Sequence, residues 1–266
     1  MAEQLDPIGT RRSSRFVRGV SALTVLLIVG AWWLVSSRGW VAPLFLPGPG
    51  RVVEALGTLV TTGFAESTLW QHTLASLFRV GTAFLLAVAL AVPVGLVMSI
   101  HDPIRGVLDP IIEFYRPLPP LAYLPLVIIW LGIGEGSKVV LIFLAVFAPV
   151  CLNTRAGVNA VPREQLLAAA SLGASRWQLI RHVALPAALP EIVTGLRVGI
   201  GFGWTTLVAA EMVAAESGLG FLVLNAKDFL ATDVVLAGIG VIGVIAYAFD
   251  LLMRRIEAWL VPWKGR

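Results

Sequence analysis

Residues 80–101 read VGTAFLLAVALAVPVGLVMSIH, and no charged side chain lies between Arg79 and Asp102. An α-helix needs about 20 mostly apolar residues to cross roughly 30 Å of hydrocarbon, so this stretch predicts a membrane-spanning helix. The whole chain has the same character. Of its 266 residues, 58% are hydrophobic and 14% are charged, and the mean hydropathy is +0.86. Soluble domains average about a quarter charged, so the sequence indicates an integral membrane protein.

Similar charge-poor stretches recur along the chain and predict an all-α integral membrane fold with six transmembrane helices. We expect one transmembrane domain over residues 19–260. Its predicted spans are 19–37, 73–100, 108–132, 137–154, 188–211 and 233–253.

The first span has a basic lead and an apolar core, as a cleaved signal peptide would. Its core is long, however, and no small-x-small cleavage site follows before Arg38. We therefore interpret it as an uncleaved anchor.

The placement of Lys and Arg predicts the orientation of the spans. With the N-terminus inside, thirteen of these side chains lie in inner segments and four in outer ones. Both termini are then cytoplasmic, with tails at 1–18 and 261–266. The pI of about 9.7 thus follows from topology and does not indicate a nucleic-acid partner.

The sequence carries no catalytic signature. It has no G-x-x-x-x-G-K-[ST] phosphate loop and no H-E-x-x-H motif. Its three histidines and the single cysteine, Cys151, are isolated, so we predict no metal site and no catalytic residues. Secondary transporters usually place an ionisable group near the bilayer midplane, and here Arg197 is the main such charge. We expect energy to come from a partner, and an intramembrane enzyme or scaffold is the alternative.

The longest predicted cytoplasmic loop, residues 155–186, reads as helix, glycine corner, helix. Pro162 favours a helix start, and Glu164 lies near the positive end of that helix. Gly173 is placed to end it in a left-handed cap. Ser175 and Gln178 form a capping box for a second helix. A surface helix resting on lipid headgroups is the alternative interpretation.

The predicted third span contains a proline-rich break. Pro117, Pro119 and Pro120 remove backbone donors, which lipid tolerates only where protein or water satisfies the freed carbonyls. We expect this segment to line a cavity, with Arg116 facing an anion. The alternative is a packing kink with Arg116 paired to Glu113.

The predicted fifth span has two further features. Small residues at four-residue spacing allow close helix packing, against either a second copy or the same chain; these are Gly195, Gly199 and Gly203. Polar candidates for a translocation path follow them: Thr205, Thr206 and Glu211. Outside the spans, residues 52–59 and 216–228 predict short surface helices that could meet a substrate-delivering protein or simply cover loops.

In the cytoplasmic loop, residues 167–173 read LAAASLG, and VALP follows after nine residues. This pattern resembles the EAA loop of bacterial ABC-importer permeases. The register matches the family pattern at Ala168, Ala169, Gly173, Leu185 and Pro186. It departs at Leu167, where the family has Glu, and at Val183, where it has Ile. Glu164, one turn earlier, is a candidate substitute for that glutamate.

The resemblance implies a type I ABC importer permease fold in a bacterial inner membrane. The loop would be the coupling helix that docks on an ATPase subunit. The implied coupling residues are Glu164, Ala168, Ala169, Ala170, Gly173, Ala174, Ser175, Leu185 and Pro186. The implied partners are a second copy of the chain, two ATPase subunits that bind ATP and Mg, a periplasmic binding protein and the lipid bilayer. This chain itself would hold no cofactor.

Further stretches narrow the resemblance. Residues 109–126 and 130–135 are similar to permeases for taurine, alkanesulfonates and nitrate. Residues 69–72 and 230–238 are most similar to the taurine members. The resemblance therefore implies transport of taurine or a similar small sulfonate, with alkanesulfonates, nitrate and bicarbonate as alternatives.

Overall fold

The computed structural model describes residues 14–263, with the side chains of the first helix from Gly19 onward. The tails predicted at 1–18 and 261–266 therefore lie largely outside the described residues. Between them the chain forms eleven α-helices and one short π-helical turn. They are α1 (Ser14–Ser37), α2 (Pro49–Thr61), α3 (Leu69–Ile100), α4 (Asp102–Tyr115), α5 (Pro120–Leu131), α6 (Glu135–Asn159), α7 (Arg163–Ser171), α8 (Arg176–Leu179), the π-turn (Ile180–Ala184), α9 (Leu185–Ala214), α10 (Leu219–Asp228) and α11 (Thr232–Leu260).

Five of the described helices are long and apolar enough to cross a membrane, namely α1, α3, α6, the helix that includes α9, and α11. Each contains one of the predicted spans. The helices extend beyond those spans because capping, rather than hydropathy, determines where they end. At the start of α3, for example, the Gln71 side chain accepts a hydrogen bond of 2.8 Å from the Thr68 amide, and Thr68 caps the helix in return.

The predicted third span, 108–132, is not a single helix. It comprises most of α4 and all of α5, which meet at 108°, and α4 begins six residues before the span was predicted to start. Each helix alone is too short to cross a bilayer at 1.5 Å per residue. The prolines of residues 116–119 account for the bend, because they lack the N–H groups that would continue the α4 hydrogen bonds. We call residues 115–120 the elbow.

The centre of the molecule is α6, which lies between α3 and α9. The predicted glycine stripe of α9 lies against this helix of the same chain. A Cβ atom on Gly195 would lie 2.6 Å from Asn153 Cβ, and one on Gly203 would lie 2.7 Å from a Val146 methyl group. Such contacts require glycine, since real Cβ atoms do not approach so closely. The stripe is therefore a packing seam between α6 and α9.

The helices α1 and α11 lie outside the group formed by α3, α6 and α9 and contact it less extensively. Residues 19–31 of α1 are all exposed, as expected of an apolar helix that faces lipid. The Trp32 indole N–H donates a hydrogen bond of 3.0 Å to the Pro47 carbonyl. The last long helix, α11, is joined to α9 by an ion pair of 2.8 Å between Arg197 and Asp250. The charge inside the fifth span thus has a partner within the chain.

Candidate translocation cavity and coupling surface

An ionic cluster that is buried except at Glu135 joins α3, α6 and α9 at the end of the molecule where α6 begins. Arg79 is 3% exposed and Glu211 is fully buried, and an Nη1–Oε1 distance of 2.7 Å joins them. Arg79 also contacts Glu135 at 2.5 Å, and Lys138 reaches the same carboxylate at 2.8 Å. The Ser76 hydroxyl donates to Glu211 at 2.7 Å. Buried charges are stable only when paired and hydrogen-bonded in this way.

The same cluster fixes the turn that follows α9. The Gly220 amide donates to Glu211 at 2.9 Å, and the Gly218 amide donates to His72 Nδ1 at 3.1 Å. Gly218 has φ +127°, and a Cβ there would collide with the Glu211 carboxylate. The turn therefore needs glycine for two independent reasons, its backbone angle and the close approach of the acid.

The elbow encloses one side of a cavity of about 430 Å³. Residues 115–120 and Tyr123 form that side. α6 contributes a wall that includes Asn153, and α9 contributes Val198 and Phe202. Arg116 lines the cavity with its side chain 54% exposed, and its Nη1 lies 3.8 Å from Glu113 Oε2. This is a largely apolar pocket with few polar groups, the usual composition of a small-molecule site.

At the opposite end from the ionic cluster, α7 and α8 form the predicted corner. The Gly173 amide donates to the Ala170 carbonyl at 2.9 Å, and the Ala174 amide donates to the Ala169 carbonyl at 3.2 Å. With φ +84° at Gly173, these bonds form a Schellman cap. Ser175 then begins α8 through the capping box with Gln178. The corner is well defined although no residue of α7 is buried.

The loop predicted at 155–186 is shorter than its bounds suggest. α6 continues to Asn159, and a continuous helix that includes the π-turn runs from Arg176 to Ala214. The Leu185 amide donates to the Ile180 carbonyl, five residues back. A π-turn widens the helix at this point, next to Pro186, which cannot donate a backbone hydrogen bond. Leu185 and Pro186 thus belong to the base of α9 and not to a separate loop.

The predicted coupling residues lie on this corner and at its base. Glu164, Ala168, Ala170, Gly173 and Ser175 are exposed, whereas Ala169, Ala174, Leu185 and Pro186 are half-buried. The exposed set also includes Leu167 and Leu172, which are 66% and 90% exposed. We call Glu164, Leu167, Ala168, Leu172 and Gly173 the corner surface.

The predicted path residues fall into two groups. Arg116, Pro117, Pro119 and Pro120 line the cavity together, and Glu113 contacts it only through Arg116.

The path candidates of α9 are not among the residues that line this cavity. Thr205 is exposed on the face of α9 that carries Val198 and Phe202. Thr206 is 5% exposed, and Glu211 is fully buried in the ionic cluster. Both carboxylate oxygens of Glu211 accept hydrogen bonds from protein groups. The charge of Glu211 is therefore paired within the chain and is not presented to a solute.

Sequence reasoning missed two sets of residues. Tyr123 and Asn153 line the cavity, but a single uncharged polar residue within a predicted span gives no distinctive signal. Arg79 and Glu135 form the core of the ionic cluster. A lone arginine within the predicted span 73–100 was the available signal, since such a charge requires a partner. Among residues 14–263, no three His, Cys, Asp or Glu side chains are grouped so that they could hold a metal ion.

A family model described as "binding-protein-dependent transport system inner membrane component" matches residues 83–262. The chain belongs to this family. The matched segment begins within α3 and includes the elbow, the seam and the corner, while α1 and α2 lie outside it. The features that define the cavity and the corner are therefore within the family's common part.

Individual proteins similar to this chain are also membrane permeases of transport systems. The chain is 54% identical to the taurine transport system permease protein TauC of Escherichia coli (strain K12), over 95% of this chain and 92% of that protein. It is 37% identical to the putative aliphatic sulfonates transport permease protein SsuC of the same organism, over 89% and 88%. The nitrate import permease protein NrtB of Synechocystis is 30% identical, over 97% and 94%.

A solved structure shares the fold. A chain of the MetNI methionine ABC transporter in an inward-facing conformation superposes with a TM-score of 0.64, covering 72% of this chain and 95% of that chain at 17% identity. The type I ABC permease fold expected from the sequence is therefore confirmed at the level of helix arrangement.

The ionic cluster makes a direct prediction about Glu211. Replacing Glu211 by Gln leaves the buried Arg79 charge without its full counterpart, and breaking a buried pair costs about 3–5 kcal/mol. We expect Glu211→Gln to lower the thermal unfolding midpoint in detergent by several degrees, as followed by tryptophan fluorescence. Glu216→Gln is the matched control, because Glu216 is exposed five residues away. Equal midpoints for the two variants would contradict a structural role for Glu211.

Proposed function

We propose that this chain is the membrane-spanning subunit of an ATP-driven importer for taurine or a similar small sulfonate. The observation that carries the proposal is the high identity to the Escherichia coli taurine permease along nearly the whole chain. The cavity chemistry supports it, because Arg116 is the one charged side chain among the lining residues. A guanidinium binds oxyanions such as a sulfonate through several N–H donors.

In this proposal the path runs along the cavity and is completed by a second copy of the chain. The elbow, α6 and α9 form an open wall, and Val198 and Phe202 are 41% and 56% exposed on it. Large apolar side chains exposed beside a cavity are typical of a surface that a partner covers. Two such walls facing each other would enclose a path for a small solute.

The chain has no phosphate loop in its sequence, so we propose that ATP and Mg²⁺ are bound by two separate ATPase subunits. The corner surface is the proposed docking site for them. It combines a rigid Schellman cap with two exposed leucines, and Leu167 replaces the glutamate expected in an EAA loop. Docking here would then depend on apolar contact, with Glu164 supplying the charge.

The proposed orientation places the corner and both termini in the cytoplasm and the ionic cluster near the outer face. The distribution of Lys and Arg supports it. The outer helices α2 and α10 would then meet a periplasmic binding protein that delivers the substrate. Closure of the ATPases would draw the two corners together and change the side to which the cavity opens.

The substrate proposal predicts a growth phenotype. In a strain that lacks sulfonate import, this chain co-expressed with its ATPase and binding protein is expected to restore growth on taurine as the sole sulfur source, with ATP-dependent uptake of labelled taurine. Growth on alkanesulfonates but not on taurine would favour the sulfonate alternative. Uptake of nitrate or bicarbonate alone would overturn the sulfonate assignment. An activity that persists without any ATPase would favour an enzyme or scaffold.

The docking proposal predicts that a bulky charge on the corner surface uncouples the transporter. Ala168→Arg adds a long cation to an exposed alanine of α7 without straining the helix. We expect the assembled complex to lose at least tenfold in taurine uptake while the protein still inserts in the membrane.

A matched control separates docking from folding. Ala160→Arg places the same side chain at an exposed alanine outside the motif and should leave uptake within twofold of wild type. Normal uptake by Ala168→Arg would contradict docking at this surface.

A further inference from the structure

The cavity at the elbow has a polar group of each kind that a zwitterion needs. Its only charged side chain is Arg116, and no carboxylate is among the residues that line it. The remaining polar side chains are Asn153 and two tyrosines. The rest of the wall is proline, leucine, alanine, valine and phenylalanine. An apolar pocket of this kind selects its ligand through the few polar groups that it presents.

Arg116 is available to bind a ligand. Its contact with Glu113 is long, 3.8 Å, and both side chains are about half exposed. Such a solvent-accessible pair holds its partners weakly. An oxyanion that enters the cavity can therefore take the guanidinium in exchange for Glu113 at little cost.

The amide of Asn153 is oriented by the helix that carries it. Its Nδ2 donates a hydrogen bond of 2.8 Å to the Pro149 carbonyl, one turn earlier in α6. This bond engages one of the two amide N–H groups and fixes the orientation of the side chain, so that Asn153 can offer a ligand the acceptor oxygen Oδ1 and the second N–H. Gly195 lies directly against the base of this side chain, since a Cβ there would meet Asn153 Cβ at 2.6 Å and Cγ at 3.4 Å.

We propose that Arg116 and Asn153 form a two-ended subsite for an amino-sulfonate, with the sulfonate on the guanidinium and the ammonium donating to Asn153 Oδ1. The subsite rests on the function proposed above and adds to it a reason for choosing an amine-bearing substrate. Asn153 is thus the residue that distinguishes taurine from a plain alkanesulfonate. Gly195 is a positioning residue that leaves room for the Asn153 side chain.

The selectivity for taurine depends on the free-energy cost of leaving a hydrogen-bond acceptor without a donor. A ligand without an N–H group, such as ethanesulfonate or nitrate, can satisfy Arg116 but leaves Asn153 Oδ1 without a donor once water is displaced. A site that hydrogen-bonds a substrate group discriminates strongly against an analogue that lacks it. A purely apolar wall would instead disfavour taurine, because its ammonium would lose hydration without gaining an acceptor.

The test measures direct binding of two ligands to the permease–ATPase complex in lipid nanodiscs without the binding protein, so that selection upstream is removed. The ligands are labelled taurine and ethanesulfonate. We expect wild type to bind taurine at least tenfold more tightly. Asn153→Leu should lose at least tenfold for taurine and keep its affinity for ethanesulfonate. Arg116→Gln should weaken both ligands.

Three further variants keep the outcome interpretable. Asn153→Asp retains an acceptor oxygen and should keep taurine while weakening ethanesulfonate, so the subsite remains testable if the leucine variant fails to fold. Gly195→Ala should weaken taurine selectively by displacing Asn153. Leu86→Met changes an exposed apolar residue of α3 that does not line the cavity, at nearly constant volume, and should change neither affinity.

The subsite would be overturned if Asn153→Leu and Asn153→Asp both lost affinity for taurine and ethanesulfonate to the same extent. It would also be overturned if the ratio of the two affinities stayed at the wild-type value in every Asn153 variant. Failure of wild type to bind either ligand would also overturn it. Taurine uptake by cells that carry the wild-type transporter separates these results from failure of the proposed function, because uptake would persist if only the subsite were wrong.

Discussion

In hydrocarbon, every backbone N–H and C=O group must find a partner within the protein, because no water is present to supply one. This constraint explains why the described chain consists of helices. It also indicates that the sharp bend between α4 and α5 has a function. Residues 116–119 interrupt the predicted third span with prolines that cannot donate. The structure places this break beside a cavity and not against an open apolar face. The freed carbonyls there can be hydrated.

The rest of the molecule forms a frame for that break. α6 packs against α9 so closely that glycine is required at Gly195 and Gly203, and it packs against α3 at Gly95. The ionic cluster of Arg79, Glu211 and Glu135 joins the same three helices at one end. By contrast, α4 joins α6 through an ion pair between Asp109 and Arg155 near the other end. A rigid frame with a bent helix pair on one side suits a protein that must open and close a path.

Hydrophobic patterning and helix-capping residues made much of the fold predictable from the sequence. Five of the predicted spans correspond to single long helices, and the cap at Gly173 and the capping box at Ser175 follow directly from local backbone chemistry. These features depend on near neighbours in the chain, which a sequence displays. The resemblance to ABC-importer permeases, which the family match confirms, was likewise recognised from short stretches of sequence.

What the sequence could not supply depends on contacts between distant segments. The partner of the glycine stripe was open until the structure placed it on α6. From its position near the end of a span, Glu211 was predicted to be a path residue. In the structure it instead pairs with Arg79, 132 residues earlier in the chain. The angle of 108° at the elbow and the cavity beside it arise from packing of α5, α6 and α9. No local pattern specifies Asn153 as part of that cavity.

The central claim is that the elbow borders water while the rest of α5 borders lipid or protein. Cysteine accessibility tests it directly, because the single native cysteine, Cys151, is fully buried. Leu118→Cys places a thiol at the elbow, and Ile129→Cys places one on the exposed side of α5. Both are treated in membranes with a charged, membrane-impermeant maleimide. We expect rapid labelling of Leu118→Cys and little labelling of Ile129→Cys. The reverse order, or equal and slow labelling of both, would contradict a water-lined path at the elbow.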